Sequence, residues 1–100
     1  MYVVTVEFDV FDEHRATFLQ AVKQQAKDSL DREAGCHHFD ICSIENGDDE
    51  IIFLYELYDD RAAFDLHLES AHFLSFNEKT SPWTRNKTVR CGMLEQGTAE

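Results

Sequence analysis

Glu56, His67 and His72 are the residues of this chain whose types and spacing point to chemistry. An unperturbed imidazole titrates near ~6.5, so it can take or give a proton at neutral pH. Glu56 is marked out by its setting. It lies within Ile51–Tyr58, a run of β-branched, aromatic and leucine residues that reads as a strand. One face carries Ile51, Phe53, Tyr55 and Leu57, and the other carries Ile52, Leu54, Glu56 and Tyr58. Both faces are apolar enough to demand cover, and a carboxylate buried there must be paired, neutralised or functional. The period then becomes helical from Arg61 to Glu69, with Asp59 or Asp60 as N-cap, and breaks at Ser70. His67 lies on that helix and His72 just beyond the break, so one carboxylate and two imidazoles converge on a strand–helix–helix unit.

The elements that must position these groups are legible by period. Residues 2–10 alternate as a first strand. From Asp12 to about Glu33, Phe11, Phe18, Val22, Ala26, Ser29 and Leu30 recur at helical spacing, with Asp12 as a plausible N-cap and Gly35 as the stop. Residues 36–45 form a second strand, and Asn46-Gly47 gives the hairpin turn into the third. After Phe76 the helix continues weakly to about Thr80, where Ser81-Pro82 ends it. Trp83 falls in a loop, and a last strand runs from Lys87 to Leu94. The order β-α-β-β-α-β is the ferredoxin-like α+β arrangement, an antiparallel sheet with its helices on one face. Residues 1–95 form a single domain and 96–100 a polar, disordered tail. Two helical elements cannot cover both faces of the third strand, so a second copy packing sheet on sheet is expected: an isologous homodimer.

Composition narrows the function. The chain has 100 residues, 43% of them hydrophobic, with eight Phe, which suffices for one packed core. The formal net charge of −11 excludes nucleic acid as a partner and disfavours anionic membrane surfaces. No window reaches the length of a membrane span, and the N-terminus lacks a signal-peptide pattern, so a cytoplasmic location is the default expectation. The three cysteines, Cys36, Cys42 and Cys91, have no C-x-x-C spacing and read as buried thiols rather than a disulfide or zinc framework. On one continuous helix His67 and His72 would stand roughly 140° apart, a poor chelating geometry, and no metal is expected. His37 and His38 read as strand-surface residues and His14 as a solvated helix position.

The residues Ser29-x3-Glu33-x-Gly35-Cys36-x2-Phe39-Asp40, then Tyr55-Glu56-x-Tyr58 and Ala62-Ala63-Phe64-x2-His67-Leu68-x3-His72-Phe73, resemble the antibiotic biosynthesis monooxygenase domain family, which includes quinol monooxygenases and a phospho-autoinducer-2 isomerase. The resemblance spans the first strand to the last. It implies a dimeric α+β barrel with a pocket between sheet and helices, and a reaction that uses neither metal nor flavin. A haem-degrading branch of the superfamily places an Asn on the first strand and a Trp on the helical segment. Here the first strand has no Asn and Trp83 lies beyond Pro82, so haem is not expected.

Under that resemblance the reaction is cofactor-independent oxygenation of a quinol, anthrone or related hydroxylated aromatic by molecular oxygen. His67 would take the substrate proton, Glu56 would orient the imidazole as a triad carboxylate does, and His72 would bond the substrate oxygen. Phe39 and Tyr58 would bound the ring, Tyr55 lying on the opposite face. Ser29 offers either a hydroxyl to the pocket or a back-bond to its own helix. Glu56 has a structural reading too, closing backbone donors at Ser70 to His72. Two alternatives use the same frame: isomerisation of a small dicarbonyl, phosphorylated or not, with Arg61, Arg85, Lys87 and Arg90 as scattered cations, and a non-catalytic ligand-binding dimer.

Overall fold

The computed structural model describes residues 1–97 and resolves them into β1 (Tyr2–Val10), α1 (Arg15–Arg32), β2 (Cys36–Asn46), β3 (Asp49–Tyr58), α2 (Arg61–Glu69), α3 (Ala71–Thr80) and β4 (Thr84–Met93). The strands form one antiparallel sheet in the order β2-β3-β1-β4, the ferredoxin-like α+β topology. The two most apolar strands, β1 and β3, take the centre. Their inward residues Val4, Val6, Phe8, Ile52 and Leu54 pack under Phe18 and Val22 of α1 and Phe76 of α3. Edge-on aromatic contacts knit this layer, with Phe8 and Phe18 ring centres 4.9 Å apart and Phe18 and Phe76 5.9 Å apart. The opposite face of β3 presents Ile51, Phe53 and Tyr55 half-buried, beside Val3 of β1. No helix among the described residues is long and apolar enough to cross a membrane.

Local chemistry sets the breaks. Asp60 caps α2 by accepting from the Ala63 amide at 2.9 Å, and Ser70 ends α2 while its hydroxyl accepts from Phe73 N–H at 3.2 Å to start α3. The hairpin between β2 and β3 uses Gly47 at φ 66°, a conformation glycine adopts without a Cβ clash. Gly35 does something other than the left-handed stop expected of it. α1 ends through Glu33 in an extended conformation, and a Cβ on Gly35 would sit 2.7 Å from the Ala63 Cβ. Gly35 therefore lets α2 approach the start of β2.

Other expectations shift as well. Asp12 opens a short 3-10 turn (Asp12–His14), closed by a backbone bond from His14 N–H to the Phe11 carbonyl, and makes no side-chain cap. β4 starts at Thr84 rather than Lys87 because Phe11 N–H bonds the Trp83 carbonyl and carries the β1 ladder on. Trp83 sits in a 3-10 turn and stacks on His14 at 5.7 Å, so that imidazole is half-buried rather than solvated. Leu30 is exposed, since the last turn of α1 rotates it off the stripe that ends in Ser29. Of the three thiols only Cys36 is buried; Cys42 and Cys91 lie on the edge strands and are exposed. Of the tail, 96 and 97 have no regular structure, and 98–100 lie outside the described residues.

Candidate active site

The sheet face under α2 and α3 holds a partly open cavity of about 190 Å³. Its floor is Val6, Phe8 and Leu54, and its sides are Phe39 of β2 and Val89 of β4. Phe64 and Leu68 of α2 with Phe73 and Phe76 of α3 close it above. Four polar side chains interrupt this apolar wall: Glu56, His67, Gln25 and Lys87. Glu56 and His67 thus share one hollow, entering it from the strand and from the helix that follows.

The carboxylate that holds His67 is a different one. Glu33, just past the end of α1, faces His67 Nδ1 with its two oxygens at 2.9 and 3.2 Å. The same carboxylate faces His72 Nε2 at 2.5 Å. With Nδ1–H donating to Glu33, the lone pair of His67 lies on Nε2, the nitrogen left for the cavity. Burial lowers the His67 pKa below its ordinary 6.5, and the hydrogen bond and charge of Glu33 oppose that only in part. Burial thus favours the neutral ring, the form a base must have. Phe64 stacks on it at 5.9 Å, and Tyr58 and Phe73 pack at 5.4 and 5.0 Å.

Glu56 is 3% exposed, and its carboxylate accepts from the Tyr58 hydroxyl at 2.6 Å. Burial pushes its carboxyl up to about 7; the Tyr58 hydrogen bond opposes the rise, Glu33 adds to it and Lys87 opposes it. It does not orient His67, nor does it close the helix donors near Ser70, which are met by His67 and Ser70 themselves. Lys87, exposed on the edge strand β4, lies 3.2 Å from Asn77 Oδ1 and 5.6 Å from the ring centres of Phe8 and Phe73. Burial lowers the pKa of its amine, and the neighbouring Glu56 works the other way.

The remaining expected residues divide. Phe39 lines the cavity. Tyr58 is fully buried behind it and serves Glu56 rather than bounding a ligand ring. Ser29 donates to the Gln25 carbonyl at 2.9 Å, the back-bonding alternative, and does not reach the cavity wall. His72 differs from the expectation as well. Ser70 restarts the helix in a new phase, which turns His72 toward Glu33 and a shallow hollow between α1 and α3 rather than into the cavity. From sequence, Gln25 has no assigned role, Glu33 enters only among the residues that carry the resemblance, and Lys87 only as one of the scattered cations of the isomerase alternative. Gln25 carried a signal, because with Val22, Ala26 and Ser29 it falls on the buried stripe of α1.

Glu33, His67 and His72 present three donor atoms within 4.8 Å of one another, the makings of a metal site. Their spacing is that of hydrogen bonds. Ligands about 2.0–2.2 Å from a tetrahedral ion stand roughly 3.3 Å apart, whereas Glu33 approaches the two rings to 2.9 and 2.5 Å. The set fits two N–H donors sharing one carboxylate.

A sequence model of the family described as antibiotic biosynthesis monooxygenase matches residues 1–79. Among solved structures, the chain is similar to a Nitrosomonas europaea protein assigned to the antibiotic biosynthesis monooxygenases, with 28% identity, TM-score 0.84, and 96% of this chain and 100% of that one covered. Rv0793 of Mycobacterium tuberculosis shares 21% identity at TM-score 0.84, over 98% of both chains. PA3566 of Pseudomonas aeruginosa shares 19% at 0.81, over 95% of this chain and 94% of that one. The last two bear on the fold alone.

Proposed function

The chain belongs to the antibiotic biosynthesis monooxygenase family, and on that premise we propose that it oxygenates a quinol, anthrone or related hydroxylated aromatic without a cofactor, with His67 as the base. One observation carries this reading: a buried imidazole with one nitrogen held by a carboxylate shares a mostly apolar cavity with a carboxyl raised to about 7.

The chemistry follows from oxygen's reluctance to react with closed-shell molecules. His67 Nε2 takes the hydroxyl proton, and the Glu33 carboxylate offsets the positive charge that develops on the ring. The apolar walls leave the resulting anion poorly hydrated and electron-rich, so it can pass an electron to dioxygen. Recombination gives a peroxide, and Glu56 in its protonated form, which its raised value of about 7 keeps populated at neutral pH, is placed to protonate it as the O–O bond breaks. For a quinol the balance closes. The ring gains one oxygen atom and becomes a hydroxyquinone, two hydrogens leave with the second oxygen as water, and all four electrons come from the quinol.

The half-buried apolar face of Ile51, Phe53 and Tyr55 supports an isologous homodimer in which a second copy covers it. A phosphorylated isomerase substrate finds less support. Lys87 is the cation on the cavity wall, Arg85 is engaged by Asp9 at 3.0 Å, and Arg61 and Arg90 are exposed. Oxygen-electrode recordings over a panel of quinols and hydroxyanthrones test the reaction class. One oxygen consumed per hydroxyquinone or quinone formed is expected, and no uptake with any of them would sink the proposal.

A further inference from the structure

Gln25 is a polar residue on the buried stripe of α1, 3% exposed, and it reaches the cavity that holds His67. Its Nε2 is shut off from solvent and has no hydrogen-bond partner among the described residues. An amide donor buried without an acceptor is destabilising, and a methionine or leucine of similar length would fill the same space without that cost. The cavity wall offers it little. Its other faces are aromatic and aliphatic, Lys87 is itself a donor, and neither acceptor on the wall, His67 Nε2 or the Glu56 carboxyl that takes the Tyr58 hydroxyl, is paired with Gln25. The acceptor that Gln25 lacks must come with the occupant.

Size limits that occupant. An apolar cavity of about 150 Å³ accommodates benzene, and this one has about 190 Å³. One ring with small substituents fills it, which within the proposed substrate class points to single-ring quinols. Resting on the oxygenase reading of this cavity, we propose that Gln25 is the specificity-determining donor for a single-ring substrate with two oxygen functions: a hydroxyl presented to His67 and a second oxygen accepting from Gln25 Nε2. Gln25 enters from α1 and His67 from α2, so the two oxygens are bound from separate helices.

The test compares hydroquinone with 4-methylphenol, which replaces one hydroxyl by a methyl of nearly the same size. Binding is measured anaerobically by calorimetry, so that no turnover intervenes, on the wild type and on Gln25→Leu and Gln25→Met. Wild type is expected to prefer hydroquinone at least about tenfold, the worth of one hydrogen bond in a dry site. Both variants are expected to lose that preference, to keep their affinity for 4-methylphenol, and to melt no lower than wild type. Equal binding of the two probes by wild type, or a preference that persists in both variants, overturns the role of Gln25 while leaving a ring-binding cavity. Failure of wild type to bind either probe overturns the oxygenase reading beneath it.

Discussion

The Glu33 carboxylate lies 2.9 Å from His67 Nδ1, joining the end of α1 to α2 across 34 residues of sequence. Since the same group also meets His72 Nε2, one acidic side chain sets two imidazoles and ties three helices at one point. Glu33→Ala removes the acceptor shared by two buried rings and should cost about 1–3 kcal/mol of stability, read from urea unfolding midpoints. Glu33→Gln retains the size but not the charge. It should fold, while turnover falls at least about a hundredfold because the tautomer and charge balance of His67 are lost.

Glu56 makes stability depend on pH in a direction opposite to that of most carboxylates. Its folded value of about 7 stands above the ordinary 4.5, so the folded state holds the proton more tightly than the unfolded chain. Stability is therefore lost as pH rises from 4.5 to 7 and stays low above that. His67 acts in the other sense, its lowered value removing stability as pH falls below 6.5. Comparing wild type with Glu56→Gln isolates the carboxyl. Relative to wild type, the variant should gain about 2 kcal/mol between pH 5.5 and pH 8; chemical denaturation at the two pH values gives the difference directly.

Gly35 controls where α2 sits over the sheet. Its hydrogen faces the Ala63 methyl, and an added Cβ would lie at 2.7 Å. Gly35→Ala should cost about 1–3 kcal/mol by overpacking. Ala63→Gly alone should cost about 1 kcal/mol as a helix substitution. The double variant should be more stable than the sum of the two changes, a coupling that thermal or urea unfolding of all four proteins would measure.

The outer sheet face offers a separate check. Phe53 projects from it half-buried, at the centre of the patch assigned to the second copy. Light scattering should return twice the chain mass for wild type. Phe53→Asp should yield a smaller or aggregating species, because a charge cannot be buried unpaired at such a contact. A wild-type monomer would leave the patch without its proposed cover.

Much of this architecture could be read from the order of residues. Alternation marked the strands, and the doubly apolar run around Glu56 announced a buried carboxylate before any coordinates. Ser70 was visible as a break. The partner of His67 was not. Glu33 reaches it only because the end of α1 meets the start of α3 at a particular angle, and no period in the chain encodes a contact between residues so far apart. His72 was misplaced for a related reason, since a new helix begun at Ser70 resets the phase that a continuous helix would have kept. Gln25 fell within reach of inference, as a polar residue beside Val22, Ala26 and Ser29 on the buried stripe of α1.

The proton-abstracting role of His67 is tested most directly by oxygen consumption with the best quinol of the panel, wild type against His67→Ala, across pH. Wild-type turnover should rise with pH along a limb that lies below 6.5, because burial holds the imidazole pKa under its ordinary value. His67→Ala should keep the wild-type circular dichroism spectrum and lose turnover by about a hundredfold or more. A folded His67→Ala protein that consumes oxygen at the wild-type rate, with the same pH limb, would contradict the assignment of this imidazole as the base.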